Sequence, residues 1–448
     1  MIEKIKSLIL IILVILSLFL TYQLWYGQQP AELVAEDVYE RIVVERPQPI
    51  EEVFNPAFMT IPVENGYYVL NDHEREFIDV WAFISKSLQM PADELLIESS
   101  MITGEEGRLL TLYFEPGLPT GPQMPWLKEY PEKIVQEIKI ITKNNGLWLI
   151  AGDIDDDLIY IESIRDEKME RLFTSLQSIY ESERDLYFLL SEDMFVSAND
   201  RELILPKPVF LPIDPVSMDR ILLANEVIDR DLVLKTFFVD YNLARVIEEK
   251  DGGLIYTDGE KGLRLTPVSL EYSNPRLEDS SATLSYADAL NNSNNLISYH
   301  GGWPDGLRLE SLEKSGWGDA LSFKAQWRIY NNGYRLYTAI PTKIIFNDRG
   351  LVHYSRSLYT AQELYLAGNE AYTTAVWRDA LEAAVKLYEA ELSGPGAAIR
   401  LEAMHLAYAV LLTGNDYYGE PIWYIQLNGE RYLLKADTLT QIREEVLQ

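Results

Sequence analysis

No cysteine occurs among the 448 residues. Its absence excludes disulfides, thiol nucleophiles, cysteine-ligated zinc and lipid anchoring through a cysteine. Histidine is nearly as scarce: His73, His300, His353 and His405 are the full set, and no two sit at the i, i+4 spacing of a zinc-binding helix. Basic residues are outnumbered, with 39 Lys and Arg against 70 Asp and Glu and a net charge of −31. A surface of that sign repels phosphate backbones, which excludes nucleic acid as a partner, and it discourages adhesion to anionic surfaces.

The motifs of catalysis and cofactor binding are also missing. His300-Gly301-Gly302-Trp303 has the form of an esterase glycine loop, but the Gly-x-Ser-x-Gly turn that completes such a site is absent. Ser393-Gly394-Pro395-Gly396 comes nearest, with Glu391 and Pro395 where glycines belong. The loop therefore reads as a connector carrying a tryptophan. Asp153, Asp155, Asp156 and Asp157 suggest a cation loop, yet Leu158 and Ile164 stand where an EF-hand needs glycine and glutamate. Asp258-Gly259-Glu260-Lys261-Gly262 lacks the phosphate-loop pattern and lies between predicted strands. His73 falls at a helix start, and His353 and His405 fall in strand patterns as packing or surface residues. The sequence offers no catalytic residues, no metal site and no cofactor.

What it does contain is one long apolar run. Leu8 to Leu16 are uninterrupted, and the run continues to Tyr26, 19 residues in all, enough to cross a hydrocarbon core of about 30 Å. Lys4 and Lys6 precede it and Glu32, Glu36 and Asp37 follow, so the N-terminus is expected in the cytoplasm. Tyr22, Trp25 and Tyr26 match an interfacial aromatic belt. A cleaved signal peptide is the rival reading. It would need small residues after the core, where the chain has Tyr22-Gln23-Leu24-Trp25-Tyr26. Ser17 and Thr21 share a helix face with Leu10, Val14 and Leu24 near the same stripe. Small polar residues let membrane helices approach and hydrogen-bond, which makes these five the candidate transmembrane interface.

Beyond the anchor the pattern is α+β: antiparallel sheets with packed helices. The expected layout is a cytoplasmic start at 1–7, a transmembrane helix at 8–26, a proline-containing stalk at 27–48, and three extracytoplasmic domains at 49–200, 201–359 and 360–448. The 28 tyrosines favour half-buried strands. Asn71 to Glu74 has the form of a capping box, followed by Phe77, Trp81, Ile84 and Leu88 at helical spacing. Met169, Leu172, Phe173 and Leu176 mark a second amphipathic helix. Arg108 to Phe114 reads as a strand broken by Pro116-Gly117. Asn332-Gly333 and Asn428-Gly429 are type I′ hairpin turns, and further hairpins turn at Asp251-Gly252-Gly253 and Asn347 to Gly350. Trp377, Ala380, Leu381, Ala384, Val385, Tyr388 and Leu392 form one apolar helix face. Tyr286-Ala287-Asp288-Ala289-Leu290 is similar to Trp377-Arg378-Asp379-Ala380-Leu381, so the last two domains are either an internal repeat or a coincidence of common helix starts.

Leu16-Ser17-Leu18-Phe19-Leu20-Thr21-Tyr22-Gln23-Leu24-Trp25 closes the anchor, and Pro421-Ile422-Trp423-Tyr424-Ile425 runs into Gly429-Glu430-Arg431-Tyr432 near the end. In these stretches, and in its acidic, cysteine-free layout, the chain resembles the YycH family. These are accessory regulators of the essential YycG/YycF (WalK/WalR) two-component system of low-GC Gram-positive bacteria. The resemblance implies a three-domain ectodomain whose last two domains share a topology with each other and with the smaller relative YycI. It implies no enzymatic activity. It implies a membrane complex with YycI and the sensor histidine kinase, made through the anchor helix and ectodomain, that modulates cell-wall metabolism. A homodimer is a further option. The competing classes are an extracytoplasmic binding module for a peptide, glycan or lipid, and a hydrolase whose site only the fold would reveal.

Overall fold

The computed structural model describes residues 10, 13–14, 16–17, 55–88, 108–119, 134–143, 146–153, 158–164, 176–182, 184–190, 197–198, 201–225, 229–238, 240–250, 252–275, 286–300, 302–317, 320–347, 349–361, 371–391, 398–414, 416–443 and 447. Met1–Ile42 forms one compact unit and Val43–Gln448 a second. In the first, Leu10, Leu13, Val14, Leu16 and Ser17 are helical and exposed. The rest of the expected 8–26 span lies outside the described residues, among which no helix is long and apolar enough to cross a membrane.

Among the described residues the second unit contains an eight-stranded, a two-stranded and a 17-stranded sheet, the last described below as a second and a third sheet, with mostly antiparallel pairing. The first contains β1 (Phe58–Val63), β2 (Gly66–Leu70), β3 (Arg108–Pro119), β4 (Ile134–Lys143), β5 (Gly146–Asp153), β6 (Leu158–Ile164) and β7 (Leu186–Leu190). The chain then makes β8 (Arg201–Ile204), which leaves for another sheet, and β9 (Val209–Pro212), which returns to give the order β9-β7-β2-β1-β3-β4-β5-β6. Helix α1 (Arg75–Leu88) begins as the capping box predicts, with Glu74 Oε1 accepting the Asn71 N–H at 2.7 Å. It buries Phe77, Val80, Trp81 and Ile84, and Trp81 meets Phe114 edge to face at 5.8 Å. The strand starting at Arg108 does not end before Pro116-Gly117, as the sequence reading expects. A register shift against β4 between Tyr113 and Leu118 absorbs the dipeptide, with Gly117 at φ 105°, and β3 runs on to Pro119. Of the predicted 169–176 helix, residues from Leu176 onward are described, and they are helical.

The second sheet follows β10 (Ile221–Asn225) and α2 (Arg230–Phe237). It consists of β11 (Arg245–Glu248), β12 (Leu254–Thr257), β13 (Gly262–Leu265), β14 (Ser269–Ser273), then, after α3 (Tyr286–Tyr299), β15 (Leu307–Trp317), β16 (Ala320–Asn331), and, after β17 (Tyr334–Tyr337), β18 (Thr342–Asn347) and β19 (Gly350–Ser357). Pairing gives β11-β12-β13-β14-β19-β18-β16-β15. α3 buries Ala289, Leu290, Ile297 and the small polar Ser293 and Ser298, whose hydroxyls donate to carbonyls four residues back.

The third sheet comes from the end of the chain: α4 (Trp377–Glu391), then β20 (Ile399–Thr413), β21 (Asp416–Leu427) and β22 (Glu430–Lys435). β21 lies between β20 and β22, and β10 pairs with the start of β21. β20 also takes two parallel partners on its other edge, β8 and β17. Because β17 is the return arm of the hairpin from β16, the second and third sheets are tied through one turn. Ala380, Leu381, Ala384 and Val385 of α4 are fully or almost fully buried, and the buried Trp423 donates its indole N–H to the Ala375 carbonyl at 3.2 Å. Both α3 and α4 are followed by a pair of long antiparallel strands.

The two Asn-Gly turns adopt the positive φ values that the type I′ geometry demands: 48° and 79° at Asn332-Gly333, 50° and 86° at Asn428-Gly429. Their surroundings differ. A Cβ on Gly333 would lie 2.5 Å from Asn71, just before α1, whereas one on Gly429 meets nothing within 4 Å. Gly429→Ala should cost about 1–2 kcal/mol, the penalty of a left-handed backbone carrying a side chain. Gly333→Ala should cost more, because the β16–β17 turn must move away from Asn71, and Asn71→Gly should recover the difference. Urea unfolding of the full chain measures all three, and equal costs at the two glycines would refute the close approach.

Candidate functional site

In β16, Phe323, Ala325, Trp327 and Ile329 face the core beneath α3, and the alternate residues Gln326, Arg328 and Tyr330 take the opposite face. That second face is not left to solvent. Arg328 is buried beneath Tyr337 of β17, a strand that pairs with β20 of the third sheet and closes this face. The closure leaves a cavity of about 770 Å³, whose walls include Phe58, Glu115, Tyr187 and Phe210 on one side and Arg335, His405 and Tyr424 on the other.

The opening has a local cause. β8 pairs with β20 at Leu203↔Ile399 and Ile204↔Arg400, and then the chain reads Leu205-Pro206-Lys207-Pro208. Proline has no N–H to give a ladder, so β8 cannot continue along β20. The chain crosses to the first sheet as β9, and the crossing segment forms one rim of the cavity.

Arg335, on β17, is the centre of the polar wall. Its Nε donates to the Tyr330 hydroxyl at 2.9 Å, its Nη2 pairs with Glu115 of β3, and its Nη1 faces the two ring nitrogens of His405 at 3.3 and 3.1 Å. Lys207 lies 3.8 Å from the other Glu115 oxygen. Beside this group, Arg328 makes a two-pronged pair with Glu310 of β15, Nε to Oε1 at 2.6 Å and Nη2 to Oε2 at 2.7 Å, and Gln326 donates to the same Oε2 at 2.6 Å. The Arg328 guanidinium lies 4.0 Å over the Tyr337 ring, which stacks on Tyr424 at 4.6 Å, which in turn stacks on His405 at 4.9 Å. The Tyr337 hydroxyl is 3.0 Å from His405 Nε2.

Burial acts to raise the pKa of Glu115, but the Arg335 and Lys207 charges outweigh it and hold the carboxyl below its ordinary value. Glu310 is lowered in the same way, with Arg328 the main counter-charge. Glu115 keeps 32% of its side-chain surface exposed, and that surface borders the cavity. His405 moves well below the imidazole range because burial, then the charges of Arg335, Arg328 and Lys207, disfavour its protonated form. Close by, Arg308 pairs with Asp72 and lies 4.6 Å over Tyr330, and burial lowers its pKa to about 10. The site is thus a neutral imidazole among paired charges and aromatic faces. Its ring nitrogens face a guanidinium and a phenol.

Several residues singled out from sequence have structural roles. Asp258 accepts the N–H groups of Glu260 and Lys261 and closes a tight turn between β12 and β13. Trp303 donates to Ser298 Oγ at 2.9 Å and packs against Trp327, and the Gly302 carbonyl accepts from the fully buried Arg356 at 2.9 Å, so this loop is a packed connector. His300 caps α3 against Phe237, and His353 lies within β19. His73 sits just ahead of α1. Among the described residues no cluster of three or more His, Asp or Glu could hold a metal. Asp155, Asp156, Asp157 and Ser393 to Gly396 lie outside the described residues, as do Thr21 and Leu24 of the candidate helix interface. Leu10, Val14 and Ser17 are helical and exposed.

His405 read from sequence as a packing or surface residue, and Glu115, Glu310, Arg328 and Arg335 drew no notice. The available signal was charge inside strong strand patterns, but alternation alone assigns such residues to a solvent face. Acidification should expose the role of His405. Its folded pKa is depressed, so below the unfolded value of about 6.5 the unfolded chain binds the proton first and stability falls. His73, His300 and His353 are depressed too and contribute with the same sign. His405→Gln should therefore lower stability at neutral pH while reducing the further loss between pH 7.5 and 5.5. Urea midpoints at the two pH values test this, and identical losses in the two proteins would exclude a buried neutral His405.

Residues 3–90 match the family model described as YycH protein, N-terminal domain. No curated protein sequence matches the chain. The fold is similar to the crystal structure of YycH from Bacillus subtilis, at a TM-score of 0.62 and 15% identity, over 87% of this chain and 98% of that one. Residues 3–90 are thus similar in sequence to the YycH N-terminal domain, and most of the chain shares the fold of a YycH crystal structure.

Proposed function

We propose that the chain is a membrane-anchored, extracytoplasmic regulator of a YycG/WalK-like sensor histidine kinase controlling cell-wall metabolism, acting in complex with a YycI-like partner and not as an enzyme. The observation that carries this reading is the YycH-type N-terminus at 3–90, which includes the expected anchor, joined to a YycH-like fold. In this reading 1–7 is cytoplasmic, 8–26 spans the bilayer, 27–48 is a stalk, and 49–200, 201–359 and 360–448 are the three extracytoplasmic domains. The last two are related as a repeat, supported by their shared order of a helix followed by a long strand pair. Leu10, Val14, Ser17, Thr21 and Leu24 form the surface toward partner helices. Leu10, Leu13, Val14 and Ser17 lie at i, i+3, i+4 and i+7, and the three apolar ones expose 64%, 56% and 52% of their surface, an apolar face that needs lipid or another helix to cover it.

In a bilayer little hydrophobic drive brings helices together, so packing and polar contacts decide which ones associate. Replacing both Ser17 and Thr21 with leucine should preserve insertion and weaken association by about 1–2 kcal/mol per lost contact, roughly 5- to 30-fold in affinity. Exchanging the whole helix for an unrelated one of equal length should abolish it. Crosslinking to the kinase and to the YycI-like partner at matched expression measures both. Undiminished crosslinking and kinase regulation after the exchange would move the contact to the ectodomain.

A further inference from the structure

The cavity contains a gap in a sheet. On the edge of β20 away from β21, pairing with β8 ends at Arg400 and pairing with β17 begins at Ala407. Among the described residues no strand pairs on this edge with the six positions between, Leu401 to Leu406, and Glu402, Ala403, Met404, His405 and Leu406 line the cavity. At about 3.3 Å per residue the gap is about 20 Å long.

The direction of the hydrogen-bonding groups in that gap follows from a proline. Pro421 opposes Tyr408, has no N–H, and gives its carbonyl to the Ala436 N–H at 3.0 Å on the β22 side. Tyr408 therefore turns its own N–H and C=O away from β21. In an antiparallel ladder the direction alternates, so Leu406 and Met404 point the same way while His405 and Ala407 bond to β21. Met404, 2% exposed, thus aims a backbone donor and acceptor into the cavity. Buried backbone groups are almost always paired. Among the described residues no main-chain group pairs with these two on this edge, so a chain entering the cavity can. Its volume lies within the range of ligand sites, and the wall opposite β20 carries Phe58, Tyr187 and Phe210, broad surfaces that accept side chains without selecting one shape.

We propose that this cavity binds an extended peptide segment, which adds to β20 as a strand between the ends of β8 and β17. The main chain of the peptide pairs with Met404 and Leu406. Its alternate side chains lie against the aromatic wall and the Glu115–Arg335–His405 cluster. Strand addition of this kind draws affinity from backbone hydrogen bonds and specificity from pockets for alternate side chains. The proposal is independent of the role given to the anchor helix.

The probe is a synthetic library of end-blocked hexapeptides offered to the full-length chain in detergent micelles. Enriched sequences are remade singly and in two forms, each N-methylated at every second residue in opposite phase. The expected result is micromolar binding that weakens at least tenfold with methylation in one phase and is little changed by the other, since only one edge of the peptide meets β20. Bound peptide should also slow hydrogen exchange across 401–406, a readout on the unmodified protein. Ala403→Trp, which fills the cavity from the β20 side, should abolish binding while circular dichroism and the melting temperature confirm the fold. If that variant does not fold, the methylation phases and the exchange data decide. Failure to enrich any peptide, equal sensitivity to both phases, or unchanged exchange at 401–406 would overturn the proposal. So would binding of chitohexaose at 401–406 with every peptide inert, which would assign the cavity to a glycan.

Discussion

The structure of the second unit depends on burying the polar face of β16. This strand carries Trp327 and Phe323 into the core on one side, and on the other it presents Arg328 to a layer that excludes most of the solvent. An arginine cannot be placed there without a partner, because losing water around a full charge costs several kcal/mol unless geometry and hydrogen bonds offset it. Glu310 on the neighbouring strand supplies both oxygens, Gln326 braces them, and Tyr337 covers the guanidinium face. The second sheet can then be covered on both sides.

The neighbouring Arg335 extends the same solution between sheets. It reaches from β17 to Tyr330 on β16, to Glu115 on β3 and to His405 on β20, so one guanidinium is shared by strands from all three sheets. Asp72 with Arg308, and Asn71 against Gly333, fix the start of α1 on the same region. Such pairs add little net stability compared with an apolar core, but each leaves a buried charge exposed to low dielectric if the sheets shift. They therefore act on register and relative placement. The cavity persists beside them because its walls are held by these fixed charges and because the prolines of 206–208 keep β8 from filling it.

The described residues bring together surfaces and paired groups suited to contact. Among the described residues are a histidine held neutral against a guanidinium, paired carboxylates and stacked tyrosines. The N-terminal helix and the cavity are separate opportunities for contact. One is an apolar helix face carrying a small polar residue, and the other is an interrupted strand edge with aromatic cover.

Local features were legible in the sequence because local physics determines them. The capping box at Asn71–Glu74, the helix faces of α1 and α4, and the Asn-Gly hairpins at 332–333 and 428–429 each follow from a few adjacent residues, and the structure contains them. Pro116-Gly117 misled, since a bulge can absorb a proline that would end a regular strand. The apolar run at 8–26 marked the segment that the family match also covers. Tertiary structure alone decided the rest. Alternation in β16 distinguishes two faces but not whether the second meets water or another sheet, so Arg328, Arg335, Glu310 and Glu115 read as surface charges until strands up to 220 residues apart in the chain were seen to meet. His405 has the same explanation. Its neutrality comes from cations on β16 and β17, and no stretch of sequence around residue 405 encodes their proximity.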